Sequence, residues 1–168
     1  MTANLDFNEN CRFPAVVLYH SGDMSVYDTC DPFVTCRRID VKAGQRGRFA
    51  RATVVDSCER SWGIDGATIL HGVGPFWGYN ILMSRTVRVR PNTCSPPAAA
   101  DLDWVKREVV ERLSKEGKAI TVDFRGFCAT IERGEALRTL RKVEGATSVP
   151  EVLTRLLAMD FPERASLP

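Results

Sequence analysis

An α+β protein is predicted, with a β-barrel-like N-terminal half and a smaller α/β C-terminal half. Three observations carry this. Residues 10–92 hold short β-branched or alternating apolar stretches separated by turn residues. Residues 93–100 are rich in Pro and Ala, and residues 101–160 place apolar side chains at helical spacing around one alternating pair of segments. The expected organisation is a β-rich domain at 10–92, a linker at 93–100, an α/β domain at 101–160 and a frayed tail at 161–168.

In the front half, Phe13 to Tyr19 is an apolar run ended by Ser21-Gly22-Asp23, which predicts a buried strand. Met24 to Tyr27 predicts a second, and Asp28 to Pro32 carries turn residues. Arg37 to Lys42 alternates, with Ile39 and Val41 on one face, and predicts a half-buried strand. A turn around Gly44 and Gly47 leads to Arg48–Asp56, whose centre Ala52-Thr53-Val54-Val55 is apolar enough for burial on both faces. The segment Cys36–Cys58 therefore reads as two strands joined by a glycine turn. Five glycines (Gly63, Gly66, Gly72, Gly74 and Gly78) interrupt Ser61–Tyr79, which predicts loops with a single strand at Ala67–His71. Thr86 to Arg90 alternates strictly, valines inward and arginines outward.

The rear half opens with a helix from Asp101 or Asp103 to Glu116, with Leu102, Val105, Val109 and Leu113 on its buried face and Gly117 past its end. Lys118 to Phe124 and Phe127 to Glu132 predict a hairpin around Arg125-Gly126, with one bent strand as the alternative. A helix follows at Glu135–Glu144, stopped by Gly145. Ser148 and Glu151 have capping-box spacing before a last helix whose apolar face is Val152, Leu153, Leu156 and Leu157.

Composition narrows function more by exclusion than by assignment. A net charge of +2 is too small to argue for nucleic acid by itself. No apolar run approaches the ~18 residues of a membrane helix. Met1–Asn10 contains Asp6 and Glu9 and lacks a basic region followed by an apolar one, so a cytoplasmic protein is expected, extracellular only if Met1 is not the native start. Six cysteines without CxxC spacing suit reduced thiols in that compartment. A zinc set from Cys30, Cys36, Cys58 and His71 is conceivable beside the reading as buried thiols, and no metal or cofactor is expected. Cys128 reads as a small buried apolar residue.

Three groups are candidates for function. Trp62, His71, Phe76, Trp77 and Tyr79 crowd a Gly-rich stretch suited to stacking on a sugar, a base or a protein partner, with burial in the core as the alternative. Arg46, Arg48 and Arg51, together with Arg85, Arg88 and Arg90, would form a basic strand face if their strands are neighbours, or an ordinary solvated face that discourages edge pairing. Asp56, with Asp65 as a second carboxylate, is the candidate general acid, and a strand-ending turn cap is the alternative.

Gly22–Thr29, Cys36–Ile39 and Ala52–Cys58 are similar to the opening strands of double-psi β-barrel proteins of the barwin, expansin and RlpA type, over roughly residues 22–90. That resemblance implies a barrel, pairing of Cys36 with Cys58, and Asp56 in a polysaccharide-binding or polysaccharide-cleaving groove. It departs from the family in the short Tyr27–Cys36 segment, and the later Gly-rich aspartate stretch is only echoed by Ile64-Asp65-Gly66. The order of Phe127–Ala158 resembles ribbon-helix-helix repressors, which implies a dimer reading DNA through Cys128, Thr130 and Glu132, with a plain α/β layer as the alternative.

No nucleotide-binding glycine loop, HExxH or nucleophile elbow is present. The function expected is therefore that of a non-enzymatic binding or interaction protein using the aromatic Gly-rich loop and the arginine-bearing face. Its partner would be a protein or an acidic or polysaccharide ligand. Membrane is not a partner, nucleic acid is the less favoured one, and a homo-oligomer is left open. A polysaccharide-acting enzyme with Asp56 as acid and a DNA-binding regulator are the two alternatives.

Overall fold

The computed structural model of the chain describes residues 6–44, 47–73, 86–115, 120–124, 127–130 and 133–158. Its front part runs α1 (Phe7–Asn10), β1 (Ala15–Leu18), β2 (Met24–Tyr27), α2 (Cys30–Val34), β3 (Thr35–Arg37), α3 (Arg38–Lys42), β4 (Ala52–Asp56), β5 (Arg60–Gly72) and β6 (Thr86–Thr93). Then follow β7 (Ala98–Ala99), α4 (Leu102–Ser114), β8 (Ile120–Phe124), β9 (Phe127–Thr130), α5 (Arg133–Glu144) and α6 (Val149–Leu157). The described strands form one curled, mixed sheet in the order β3-β6-β5-β4-β1-β2-β8-β9, with β7 added beside β5. This is the α+β architecture with a barrel-like strand region that the sequence predicts. Strands β2 and β8 pair in parallel, Ser25 opposite Thr121, and the other pairs are antiparallel.

The period of two in the central strands sends successive side chains to opposite faces, and both faces are covered. On one face, Val16, Leu18, Met24, Val26, Val55, Ile120 and Val122 pack under α4, α5 and α6. On the other, Ala15, Val17, Tyr27, Val54, Trp62, Ile64, Val87 and Val89 close around Phe7, Phe33 and Phe49. Continuous burial of the Ala15–Leu18 run follows from its place between two cores.

The helical layer matches its sequence signals. Val105, Val109 and Leu113 of α4 and Val152, Leu153, Leu156 and Leu157 of α6 are buried as their spacing requires. The Ser148 hydroxyl accepts from the Glu151 N–H at 3.3 Å. The return half of the expected capping box goes one residue further out: the Glu151 carboxylate accepts from the Thr147 N–H at 2.6 Å and the Thr147 hydroxyl at 2.9 Å. Lys106 Nζ donates to the Glu144 carbonyl at 3.1 Å, tying α4 to the C-terminus of α5.

Four expectations are corrected. Arg37–Lys42 is not a strand: Asp40 accepts from the Arg37 N–H at 3.1 Å, and this local bond caps a one-turn helix, α3, leaving Ile39 41% exposed. The two arms of Cys36–Cys58 do not pair with each other, because β3 pairs with β6 while β4 pairs with β1 and β5. Asp28–Pro32 leads into α2 instead of a plain turn. Ser61–Tyr79 is not mainly loop in its described part, since β5 continues unbroken to Gly72. Gly66 at φ +129° sits at a register shift between Ile64 and Ala67, so this glycine bends the strand without ending it. Pro91 lies opposite Ala67 beside that irregularity, where a missing ladder donor is tolerated.

If the helical layer is a packed core, truncating its centre opens a cavity. Leu153→Ala is expected to lower unfolding free energy by about 2–5 kcal/mol, while the exposed Thr154→Ala changes it by less than about 1 kcal/mol. Urea titration followed by circular dichroism measures both.

Candidate functional site

The sequence candidates fall into three separate environments. Asp56 is fully buried and its oxygens are filled. Oδ1 accepts from the Cys58 N–H at 2.9 Å and the Arg60 N–H at 3.0 Å. Oδ2 accepts from Arg60 Nε and from the Trp62 indole N–H, each at 3.0 Å, and from the Arg12 N–H at 3.3 Å. Arg60 Nη2 lies 2.9 Å from the same oxygen. A carboxylate so saturated caps a turn and neutralises an arginine. It has no accessible lone pair for moving a substrate proton. Asp65 is exposed on the far side of the β5 bend. The two carboxylates do not make an acid–base pair, because Asp56 is sealed in the interior.

Trp62 is likewise completely buried, its ring 5.4 Å from Phe7 in edge contact. The expected stacking role for it is corrected: its N–H is held by Asp56, and β-strand alternation places it with Ile64 in the core. Phe76, Trp77 and Tyr79 lie outside the described residues, as do Arg46, Arg85 and Glu132 and the side chains of Cys128 and Thr130. His71 is exposed near the end of β5, paired in register with Arg88.

The expected basic face is not assembled from neighbouring strands, because β5 separates β4 from β6. Arg88 is spent on Asp31 at 2.7 Å, and Arg90 stands 4.0 Å from Asp6. Arg51 is exposed alone at the start of β4 with φ +51°. Arg48 turns the other way, into a cleft.

That cleft has a volume of about 860 Å³, within the ~300–1,000 Å³ common for small-ligand sites. Its walls come from the β1–β2 turn (Tyr19 to Asp23), from Ser25 and Tyr27 of β2, from Arg37 and Asp40, from Gly47–Ala50, and from Thr121 of β8. Local sequence explains how Arg48 is delivered. Gly44, at φ +56°, follows the end of α3, and Gly47 folds back so that its N–H reaches the Gly44 carbonyl at 2.9 Å. A Cβ on Gly47 would stand 2.7 Å from the Asp40 carbonyl oxygen, so only glycine fits there. The Arg48 N–H then donates to that same Asp40 carbonyl at 3.1 Å.

The guanidinium is held by neutral groups. Nε donates to the Tyr19 hydroxyl at 3.2 Å and Nη2 to the Tyr27 hydroxyl, and the two phenol oxygens are 3.3 Å apart. Its carbon lies 5.5 Å from the Tyr27 ring centroid, 5.6 Å from Phe49 and 5.8 Å from Phe33. No carboxylate among the described residues stands within ion-pair distance of it. Burial pushes the Tyr27 phenol well above its usual range, with Tyr19 adding to the shift, so Tyr27 is a neutral hydroxyl at physiological pH. The Nε and Nη2 hydrogens along one edge are engaged by the tyrosines. The Nη1/Nη2 fork is the part of Arg48 left for another acceptor.

The cysteines make neither a disulfide nor a metal set among the described residues. Cys36 in β3 and Cys58 beyond β4 belong to strands separated by β6 and β5, which removes the pairing implied by the barrel resemblance. Burial, reinforced by Asp56, raises the Cys11 thiol far above its ordinary value. Burial followed by Asp31 pushes Cys30 up to about 11, and burial, partly opposed by Arg48, pushes Cys36 up to about 11. No family model matches the chain, and no curated protein or solved structure matches it either.

Of the sequence candidates, Arg48 alone lies in a concavity. Tyr19, Tyr27 and Thr121 were not singled out by sequence, although the tight Tyr19–Asp23 turn, closed by the Gly22 N–H on the Tyr19 carbonyl at 3.0 Å, is a local signal for an exposed ledge.

Two measurements check these environments. Asp56→Asn leaves Arg60 without its counter-ion and turns an amide toward N–H donors. It is expected to cost on the order of 3–5 kcal/mol in chemical denaturation, and an unchanged midpoint would remove the structural role. In native maleimide labelling at pH 8 read by peptide mass spectrometry, the exposed Cys58 and Cys94 are expected to react first, with Cys11, Cys30 and Cys36 slow until denaturant is added.

Proposed function

We propose that this is a non-enzymatic binding protein whose ligand carries an anionic group into the cleft, where Arg48 receives it. The observation that supports the reading is a single one: a half-buried guanidinium, fixed by two tyrosines and three aromatic rings, with no carboxylate opposite it. An arginine needed only for packing is better matched by a carboxylate, since charge-assisted bonds are roughly twice as strong as neutral ones. Here the positive charge is positioned and left uncompensated, as binding of an oxyanion requires.

Of the partners expected from the sequence, an acidic ligand agrees with this arrangement. Nucleic acid agrees less well, because Arg88 and Arg90 already face Asp31 and Asp6. The curled sheet is compatible with the barrel half of the double-psi resemblance, but the saturated Asp56 gives the enzymatic version of it no acid. For the regulator reading, the β8–β9 ribbon is joined to β2 of its own sheet and the apolar face of α6 is used in its own core.

Arg48→Met keeps the apolar stem and removes the charge. A thermal-shift panel of small carboxylates, sulfonates and phosphates is expected to raise the melting temperature of the native protein with at least one oxyanion, and that rise is expected to vanish in Arg48→Met. Calorimetric titration should show at least about a tenfold loss of affinity, the minimum for one charge-assisted fork. A panel without any stabilising oxyanion overturns the proposal.

A further inference from the structure

The chemistry of the remaining cleft wall narrows the ligand, given the reading of the cleft as the binding site. Away from Arg48 the lining is rich in hydroxyls: Ser21 and Ser25 on the front half and Thr121 across the parallel β2–β8 pair. Two carboxylates, Asp23 and Asp40, border the same space. Tyr19 contributes a half-buried ring at the edge. The apolar contribution is small, because Met24 is itself fully buried and Ala50 offers one methyl group. Such a wall offers little to an aromatic or fatty ligand. It presents hydrogen-bond acceptors and donors in alternation, which suits several adjacent hydroxyl groups, while the Tyr19 ring can lie against a sugar's C–H face.

Charge decides between the anions such a ligand can carry. The lining holds two arginines, Arg37 and Arg48, against two aspartates. Arg37 is tied to Asp40 with its Nε 3.6 Å from the carboxylate, so a single guanidinium fork faces the space. One planar monoanion matches one fork, whereas a phosphate dianion carries a second charge toward Asp23.

We propose that the cleft takes a sugar acid: a pyranose-sized polyhydroxylated ring bearing one carboxylate, seated with the carboxylate on the Nη1/Nη2 fork of Arg48 and its hydroxyls toward Ser25, Thr121 and Asp23. Two features that are unremarkable alone, an unpaired arginine and a hydroxyl-lined wall, lie within one cavity and together define an acidic, polyhydroxylated ligand.

The test is calorimetric titration of the full chain with D-glucuronate, D-galacturonate, D-glucose, D-glucose 6-phosphate and acetate. At least one uronate is expected to bind tenfold or more tightly than glucose, acetate and glucose 6-phosphate. In Arg48→Met this preference over glucose disappears. In Thr121→Val, which preserves β-branching, the affinity for that uronate falls several-fold. Uronates binding no better than acetate, with acetate still dependent on Arg48, overturn the sugar-acid proposal and leave the anion cleft standing. Glucose 6-phosphate binding more tightly than both uronates overturns the choice of a carboxylate, and no probe binding at all overturns both readings.

Discussion

The buried Asp56 carboxylate is the constraint on which the front of the molecule depends. Its donors come from the Arg12 main chain before β1, from the turn after β4, and from Arg60 and Trp62 at the start of β5. A carboxylate removed from water is destabilising unless its lone pairs are filled, and here they are filled by groups from separate segments. The N-terminal segment is thereby fastened to the β4–β5 turn, and Trp62 is fixed by its indole N–H. Trp62 then meets Phe7, Phe7 meets Phe33, and Phe33 meets Tyr27 and Phe49. Those last three rings carry the Arg48 guanidinium. The geometry of the cleft is therefore supported, through one aromatic chain, by an ion pair on the opposite side of that core.

The two buried charges of this half are treated in opposite ways. Asp56 meets a cation and four N–H groups, so little of its field reaches the surface. Arg48 meets phenols and ring faces, which stabilise a cation without cancelling it. A fold that needed only rigidity could treat both alike. The difference places an uncompensated positive charge at the wall of a cavity, and such a charge gives a cavity selectivity.

How much of this was legible in the sequence depends on the range of each interaction. Alternation in Thr86–Arg90 and helical spacing in α4 and α6 are local signals, and Val87, Val89, Val105, Val109, Leu153 and Leu156 lie where those signals put them. The short helix α3 was hidden because Arg37–Lys42 also alternates, and one side-chain bond from Asp40 decided the outcome. The extent of β5 was hidden because glycines read as breaks, whereas Gly66 serves as a bend within a continuing strand. Trp62 was misplaced for the same reason: without the strand, its shared face with Ile64 could not be seen. Arg48 was visible as a residue and invisible as a site, since Tyr19, Tyr27 and Thr121 reach it only through tertiary pairing.

The parallel pairing of β2 with β8 is the least local of these events and the one that completes the cleft. It sets Thr121 beside Ser25 and, on the opposite face, Ile120 and Val122 beside Met24 and Val26 beneath α6. One strand thus has its apolar side chains in the helical core and its hydroxyl-bearing ones at the cavity. Displacing β8 by a single residue would turn Thr121 into the core and a valine or isoleucine toward the cavity, an exchange that costs burial on one face and polarity on the other. The hydrophobic fit under α6 therefore fixes which hydroxyl the rear of the chain presents to a ligand in the front, and the stability of one core sets the recognition chemistry of the cleft.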